Sequence, residues 1–400
     1  MTIAERRITL ATLILALAAA AAFSWLALNN STRISNARAY AWQARSFLEG
    51  RLDIPSERVR ELDGVDFVTK GNRVYWPLGP LPSLLLVPLV AVAGDAAAQA
   101  VFQVAMAACI LFLAFRLAGR AGFGALDSGW LSFGLLFSSV LFGAAMLNGP
   151  WYLANTISVA LALAALNEYL GRRRAWLIGL AVALAFATRL TAGFLAAVFF
   201  GWTMLFAAGA GRRAKLTALA KFAAPIAVVL LGLGLFNYAR FGSVWDTGYH
   251  DSFLGPSPAL ERRDRAGLFS PSYIADNVYN YFLRLPEMRD GRPVANPIGL
   301  SFFLVSPIFL WLFAAGRRTP HLAAVSITAA AGLAIFLSYY ATGFWQFGPR
   351  YLCDMLPFLF LLLLATFKKR GLGRLPKAVI AGSAAFNIYL LQATLKAFSS

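Results

Sequence analysis

Residues 171–190 read GRRRAWLIGLAVALAFATRL, in which three arginines precede an apolar run that ends near a further arginine. Apolar segments separated by short basic breaks recur along the chain, and 59% of its 400 residues are hydrophobic. With a mean hydropathy of +0.65, the chain has too few polar residues to cover a water-soluble core. The sequence therefore predicts an all-α polytopic membrane protein.

A membrane-spanning helix needs about 20 predominantly apolar residues, and about eleven runs of the sequence approach or exceed that length. The run 175–188 is short and is expected to borrow residues from its flanks. We expect a single transmembrane domain over residues 1–400, with no soluble domain. The predicted spans are Arg7–Leu28, Ala97–Ala118, Ser128–Ala145, Trp151–Leu170, Ala175–Thr188, Leu190–Ala210, Leu219–Tyr238, Gly299–Ala315, Leu322–Ala341, Leu352–Phe367 and Ala378–Leu395.

The distribution of basic residues predicts the orientation of these spans. Clusters such as Arg172–Arg174, Arg317/Arg318 and Lys368–Arg370 fall on every second connection. Because lysine and arginine are retained on the cytoplasmic side, we expect these connections and the N-terminus to lie in the cytoplasm. The two long polar loops, residues 29–79 and 241–298, then lie outside. The expected location is the inner membrane of a bacterium.

Two segments near the first loop are not expected to cross the membrane. Residues 36–50 carry apolar side chains at three- and four-residue spacing, which predicts an amphipathic helix in the outer interface. A simple loop cap over the bundle is the alternative. Residues 81–94 are apolar but short, and Pro82 and Pro88 interrupt them. This segment is predicted to be re-entrant or interfacial, since a span here would reverse the side of every later basic break.

Composition also bears on partners and cofactors. The net charge of +18 arises in good part from the cytoplasmic breaks, where basic residues meet anionic lipid headgroups. Nucleic acid is not an expected partner, because no basic soluble domain is present to bind it. Cys109 and Cys353 lie on separate spans and give neither a disulfide framework nor a zinc spacing. A divalent cation is left open as a cofactor, because no ligand set is evident in the sequence.

Ionisable residues gather at the outer ends of the predicted spans. Arg350 and Asp354 are four residues apart, so on an α-helix they would share a face and pair. This pair could serve only to fix the helix, or Asp354 could hold Arg350 toward an anionic headgroup. Arg189 has no acid near it in sequence. An unpaired guanidinium at membrane depth either binds an anion such as phosphate or extends to the interface.

Four segments, taken in order, carry a resemblance to a known family. They are Asn36–Arg45 (NARAYAWQAR), Asp66–Pro82 (DFVTKGNRVYWPLGPLP), Gly179–Arg189 (GLAVALAFATR) and Trp345–Pro357 (WQFGPRYLCDMLP). With the order of spans and outer loops, these segments resemble the GT-C glycosyltransferases, in particular the aminoarabinose and protein-mannosyl transferases. The resemblance covers most of the chain. It implies a polytopic enzyme that takes a sugar from a polyprenyl-phosphate donor at the outer face.

The first of these segments departs from the family pattern. The resemblance implies a catalytic acid at its opening position, but this chain has Asn36, and an amide cannot accept the acceptor's proton. Asp66, which opens the second segment, is the expected replacement, and Asp53 in the same loop is the second choice. Residues expected to bind the donor phosphate are Arg189, Arg350 and Asp354, and those expected to contact substrate are Asn36, Tyr40, Arg240, Asp246, Tyr249 and His250.

The resemblance implies an inverting glycosyltransferase that transfers a hexosyl or pentosyl residue. A carboxylate base would deprotonate the acceptor hydroxyl, and cations would stabilise the departing lipid phosphate. Because the sequence ends after its last predicted span, a small, lipid-linked or glycan acceptor is expected. The alternative is a non-enzymatic transporter or flippase of lipid-linked sugars. Transporters usually carry internal repeats and polar residues at the bilayer midplane, and neither pattern is convincing in this sequence.

Overall fold

The computed structural model describes residues 38–60, 66–207, 209, 211–251 and 257–399. The predicted span Arg7–Leu28 and the candidate Asn36 lie outside these residues. The described chain is mostly helical, as expected for a polytopic membrane protein. Two short antiparallel hairpins are added to the predicted all-α architecture.

The elements follow one another from the first loop to the C-terminal helix. The α-helices are α1 Ala39–Leu48, α2 Ser56–Arg60, α3 Leu81–Arg120, α4 Ala125–Phe137, α5 Leu141–Met146, α6 Pro150–Leu170, α7 Ala175–Phe186, α8 Leu190–Leu205, α9 Arg212–Phe241, α10 Pro258–Ala266, α11 Ile274–Val278, α12 Phe302–Val305, α13 Leu322–Ser338, α14 Leu356–Arg370 and α15 Arg374–Ser399. Shorter 3-10 and π turns are Tyr249–Asp251, Pro271–Tyr273, Tyr279–Leu283, Pro307–Ala314 and Arg350–Asp354. The hairpins are β1 Val68–Lys70 with β2 Arg73–Tyr75, and β3 Glu287–Arg289 with β4 Arg292–Val294.

Among the described residues, four helices are long and apolar enough to cross a membrane by length and composition: Ala98–Arg120 within α3, α6, α9, and Arg374–Ala397 within α15. Other predicted spans are shorter or broken. The run 128–145 divides into α4 and α5, and the run 299–315 divides at Ser306. The two breaks meet, because the N–H of Val140 donates to the Ser306 hydroxyl at 2.7 Å. Side chains that bond backbone groups in this way interrupt helices. The total of eleven spans stays a prediction.

Helix α3 bends sharply at Gly94, whose φ of 75° and ψ of 174° lie outside the helical region. This combination is open essentially to glycine alone. The bend separates Leu81–Asp95, which contains the segment predicted to be re-entrant, from the long helix Ala98–Arg120. Residues Leu81–Asp95 pack against α1 and so support the first loop.

Helix α1 is held by contacts on several sides. Seven of its ten residues are buried, and the polar Gln43 is among them. Gln43 accepts a hydrogen bond from Ser83 at 2.7 Å, and Arg45 pairs with Asp95 at 3.2 Å. Leu48, by contrast, is exposed. The helix is therefore fixed to α3 by polar as well as apolar contacts.

The core is centred on α6. In its most apolar window 72% of the residues are buried, against 11% for α9, so α9 lies at the periphery where it would face lipid. Helices α7 and α9 approach closely at Gly179, because a Cβ there would collide with the carbonyl of Phe222. Small residues permit such close helix contacts in membranes. Gly179 thus permits the close packing of α7 against α9.

Candidate functional site

Arg350 lies at the start of the 3-10 helix that leads into α14. Its backbone is fixed on both sides. Its N–H donates to Gln346 Oε1 at 3.1 Å, and its carbonyl accepts a hydrogen bond from the Asn155 side-chain amide at 2.6 Å. Arg350 is only 7% exposed, and Asn155 on α6 is fully buried. The local fold therefore holds Arg350 against α6.

The guanidinium of Arg350 is surrounded by aromatic rings. Its Cζ lies 5.3 Å from the ring centroid of Trp151, 5.7 Å from Tyr152 and 5.5 Å from Tyr351. Its Nη1 donates to the carbonyl of Phe344 at 3.2 Å, whereas its Nε is buried with no partner among the described residues. An arginine stays protonated even when buried. Within the described chain it is a buried cation with no carboxylate paired to it and with donor capacity to spare.

Asp354, expected to pair with Arg350, pairs with Arg189 instead. Nε and Nη2 of Arg189 donate to the two carboxylate oxygens at 2.9 and 3.1 Å, and Thr191 donates its hydroxyl at 2.5 Å. The expected pairing assumed an α-helix, in which residues i and i+4 share a face. The segment is a 3-10 helix with three residues per turn, so Asp354 is rotated away from Arg350. Arg189 is therefore a neutralised cation.

The first loop is attached to the turn between α7 and α8 that carries Arg189. The backbone N–H of Leu81 donates to the carbonyl of Ala187 at 3.0 Å. A Cβ at Gly79 would collide with the same carbonyl, so this approach requires a glycine. The sequence Trp-Pro-Leu-Gly at 76–79 thus places the end of the first loop beside Arg189.

Tyr351 connects the two arginines. Its ring centroid lies 5.5 Å from the Cζ of Arg350 and 5.7 Å from the Cζ of Arg189, so the two carbons are at most about 11 Å apart. Arg189, Arg350 and Asp354 are therefore gathered around one tyrosine, although they come from distant segments. Among the residues that the structure describes, only Arg189 of the two has a carboxylate partner.

Aromatic residues of the first loop extend this region. Tyr40 on α1 meets Trp76 edge-on, with 5.8 Å between ring centroids, and Trp76 lies 6.3 Å from Trp151. Tyr40 and Trp76 are fully buried, yet the Tyr40 hydroxyl and the Trp76 Nε1 have no partner in the described part of the chain. The Tyr152 hydroxyl is likewise buried with no partner among the described residues. Buried polar groups of this kind cost stability unless a ligand or water meets them.

Asp66 precedes β1 and has a φ of 66°, a left-handed conformation uncommon outside glycine. Such conformations persist where the surroundings impose them, often at functional sites. Burial raises the pKa of the Tyr249 hydroxyl, and the neighbouring Tyr351, Tyr340 and the Asp66 carboxylate raise it further. Tyr249 therefore lies near Tyr351, which adjoins Arg350, and Asp66 lies near Tyr249.

Asp53 is engaged elsewhere in the first loop. It accepts a hydrogen bond from Arg51 at 2.7 Å, and this hydrogen bond lowers the pKa of the Asp53 carboxyl. A carboxylate with a lowered pKa is a weaker base. The next residue, Ile54, pairs with Val74 in a β-bridge. The structure thus gives Asp53 an ion pair that fixes the loop.

Arg240 clamps the end of α9 to the first loop. It is 6% exposed and donates to the carbonyl of Trp76 and to Asn237 Oδ1, both at 2.9 Å. Its Cζ also lies 3.9 Å from the ring centroid of Phe236. Its Nη1 and Nη2 thus hold Trp76 and the end of α9 together, whereas its Nε is buried with no partner among the described residues.

The remaining second-loop candidates lie in a tight turn. Asp246 accepts a hydrogen bond from the backbone N–H of Gly248 at 2.8 Å and lies 3.5 Å from the ammonium of Lys70. His250 belongs to the 3-10 turn Tyr249–Asp251. The turn is therefore joined to the first hairpin through Lys70. Among the residues that the structure describes, no group of three metal-ligating side chains could hold a metal ion.

Sequence reasoning missed the aromatic residues around Arg350. Trp151 and Tyr152 follow Pro150 at the start of α6, and Tyr351 adjoins Arg350 in the last of the four segments. Trp151 and Tyr152 are adjacent in sequence and lie at the same end of the bundle as Arg350. That placement could have identified them, because aromatic rings attract buried guanidinium groups.

Comparison with solved structures finds matches over most of the chain. ArnT from Cupriavidus metallidurans bound to undecaprenyl phosphate matches with a TM-score of 0.57 and 14% identity, over 95% of this chain and 63% of that chain. Its apo state matches with a TM-score of 0.55 and 15% identity, over 89% and 59%. The oligosaccharyltransferase of Archaeoglobus fulgidus in the apo form matches with a TM-score of 0.55 and 14% identity, over 98% and 56%.

No family model and no curated protein matches the sequence. The chain spans less than two thirds of the length of each of the three solved structures, and identities this low indicate a shared fold alone. Both matched proteins are GT-C glycosyltransferases. The resemblance indicated by the four sequence segments is thus confirmed, and the chain is an integral membrane protein with the fold of the GT-C glycosyltransferases.

Proposed function

We propose that this chain is a membrane glycosyltransferase that moves a hexosyl or pentosyl residue, with inversion, from a polyprenyl-phosphate donor to a lipid-linked or glycan acceptor. The observation that carries the proposal is the buried Arg350 guanidinium, which has aromatic neighbours in place of a carboxylate partner among the described residues. Phosphate suits the fork of a guanidinium particularly well. The similar ArnT structure was obtained with undecaprenyl phosphate bound.

In this proposal Arg350 binds the donor phosphate and stabilises the charge that develops as the sugar departs. Arg189 and Asp354 act indirectly, because their ion pair holds one side of Tyr351 while Arg350 packs against the same ring. The buried hydroxyl of Tyr40, which has no partner in the described chain, is available to a polar group of the donor.

Asp66 is the proposed general base that takes the proton from the acceptor hydroxyl. The left-handed backbone of Asp66 and its influence on the Tyr249 hydroxyl support its place beside the site.

We infer that the site faces the outside of a bacterial inner membrane, in a bundle of about eleven spans. Support comes from the basic breaks, which recur on alternate connections. Cysteines introduced at the exposed positions Arg289 and Arg318 should react with an impermeant thiol reagent from opposite sides, the first from outside. Reaction of both from one side would contradict this orientation.

Donor binding tests the phosphate assignment. We expect Arg350→Ala to abolish binding of undecaprenyl phosphate to the purified protein, and Arg350→Lys to weaken it, because lysine keeps the charge but loses the fork. Arg284→Ala is the matched control. The Arg284 guanidinium also packs on a ring, 5.2 Å from Tyr279, and bonds an amide oxygen of Asn280 at 2.9 Å.

Two outcomes would count against the proposal. Unchanged binding in Arg350→Ala, or equal loss in Arg284→Ala, would remove the phosphate role of Arg350. Sugar transfer is measured separately with a sugar-loaded donor and a panel of acceptors. Donor binding and translocation across vesicles without transfer would favour the alternative, a transporter or flippase of lipid-linked sugars.

A further inference from the structure

A cavity of about 920 Å³ lies at the other end of the bundle from Arg350. Tyr169 lines the cavity, whereas Trp151, on the same helix α6, packs against Arg350. These two residues are 18 positions apart, which is about 27 Å along the helix axis. That distance is close to the thickness of the hydrocarbon core. The cavity and the Arg350 site therefore lie near opposite membrane faces.

Three basic residues line the cavity from three different connections. Arg173 lies between α6 and α7, Lys215 near the start of α9, and Arg317 before α13. None of them forms an ion pair within the described ranges, whereas Arg174 pairs with Glu168 at 2.9 Å. The acid on the first of these connections is therefore already engaged. The cavity is left with three positive charges that the described chain does not compensate.

The wall also holds a polar group without a partner. Thr319 is 5% exposed, and its hydroxyl is buried with no hydrogen-bond partner in the described chain. His321 and Arg173 have left-handed φ angles of 64° and 57°, so the packing imposes an unfavourable backbone at two positions of the wall. Burial and then the charge of Arg173 lower the pKa of His321, which keeps that ring neutral near pH 7. The positive charge of the cavity thus resides on the arginines and the lysine.

The rest of the lining is apolar. Trp202 and Phe206, at the end of α8, lie 4.1 Å apart between ring centroids, and Phe206 is 57% exposed. Ile178 and Leu322 continue this surface. A soluble anion would satisfy the basic residues but leave these side chains uncovered. An amphiphile with an anionic head and apolar chains satisfies both.

We propose that this cavity binds an acidic glycerophospholipid of the adjacent leaflet, with its phosphodiester among the three basic residues and its chains along Trp202 and Phe206. Basic pockets between membrane helices on the cytoplasmic side suit such headgroups. The bound lipid joins three connections that are distant in sequence. Because it binds only the folded chain, it stabilises the bundle by mass action. The site stands apart from the proposed transfer chemistry.

The test compares two triple variants of the full chain. Each carries glutamine at three positions and removes three charges from the same three connections. The cavity variant changes Arg173, Lys215 and Arg317, and its matched control changes Arg172, Arg213 and Arg318, each within two positions of its counterpart. Thermal unfolding is followed in phosphatidylcholine-containing micelles with added phosphatidylglycerol. Inorganic phosphate and undecaprenyl phosphate are titrated in parallel.

We expect phosphatidylglycerol to raise the Tm of the wild type and of the control saturably, by several degrees. The cavity variant should bind it about tenfold more weakly or worse, because charge-assisted hydrogen bonds to the phosphodiester are lost. Thr319→Val, which removes only the hydroxyl without a partner, should weaken binding while the fold is kept.

Several results would overturn the proposal. Equal loss of phosphatidylglycerol binding in both triple variants would indicate an effect of general surface charge. An equal shift of Tm with added phosphatidylcholine would indicate an apolar groove. A response to inorganic phosphate alone, or to undecaprenyl phosphate alone, would name a different occupant. If the cavity variant does not fold, the single variants Lys215→Gln and Arg317→Gln are tested instead. Unchanged affinity for phosphatidylglycerol in both would refute the site.

Discussion

Replacing Asp354 by asparagine would leave Arg189 buried without a counter-charge. The carboxylate accepts hydrogen bonds from Arg189 at 2.9 and 3.1 Å and from Thr191 at 2.5 Å, and its side chain is fully buried. Removing one partner of a buried ion pair costs about 3–5 kcal/mol, because the remaining charge stays in a poorly solvated place. Asparagine keeps one acceptor oxygen, so we expect a loss of about 3 kcal/mol for Asp354→Asn.

A double-mutant cycle separates the ion pair from the packing around it. Arg189→Met, Asp354→Leu and the double variant are unfolded with dodecyl sulfate in mixed micelles, and helicity is followed by circular dichroism. We expect the double variant to lose less free energy of unfolding than the two single variants lose together, by about 2 kcal/mol or more. The reason is that removing both charges also removes their desolvation cost. A coupling energy below about 0.5 kcal/mol would refute the pairing as an energetic unit.

The same variants distinguish positioning from direct binding. If Arg189 acts through Tyr351, the double variant of Arg189 and Asp354 should keep measurable affinity for undecaprenyl phosphate, whereas Arg350→Ala should not. Equal loss in both would make Arg189 a direct ligand of the phosphate.

Three further changes test other parts of the structure. Asp66→Asn should lower the rate of sugar transfer by about 10²–10⁴ with donor binding intact, and Asp53→Asn should do much less; equal losses would remove Asp66 from the role of base. Gly79→Ala should cost about 1–3 kcal/mol in thermal or dodecyl sulfate unfolding, because its Cβ would collide with a backbone carbonyl, whereas Gly119→Ala has open space and should be near neutral. The Arg51 hydrogen bond holds the pKa of Asp53 below 3.8, so the stability it adds is present above that pH and is lost as pH falls below it. Arg51→Gln should therefore reduce the fall of Tm at acid pH. Curves of Tm against pH that stay parallel for the variant and the wild type down to pH 3 would contradict this.

The sequence predicted where the candidate site lies but misjudged the local geometry there. Arg350 and Asp354 were expected to pair because their spacing fits an α-helix, and the segment is a 3-10 helix. Helix type depends on how the chain enters the bundle, since Gln346 and Asn155 fix the backbone of Arg350 from either side. The burial of Gln43 on α1 has a similar origin, because its partner Ser83 lies on another helix.

The sequence by itself determined that the chain is a polytopic membrane protein, because hydropathy and charge are local properties of the chain. The order of its four segments carried the resemblance to the GT-C glycosyltransferases. The sequence also singled out Arg189, Arg350 and Asp354. Only the tertiary structure decided which charges are compensated. Asp354 pairs with Arg189, 165 residues away, and the Arg350 guanidinium packs against the ring of Trp151 and the neighbouring rings. A buried charge takes whichever partner the packing brings within hydrogen-bond distance, and that distance cannot be deduced from spacing along the chain.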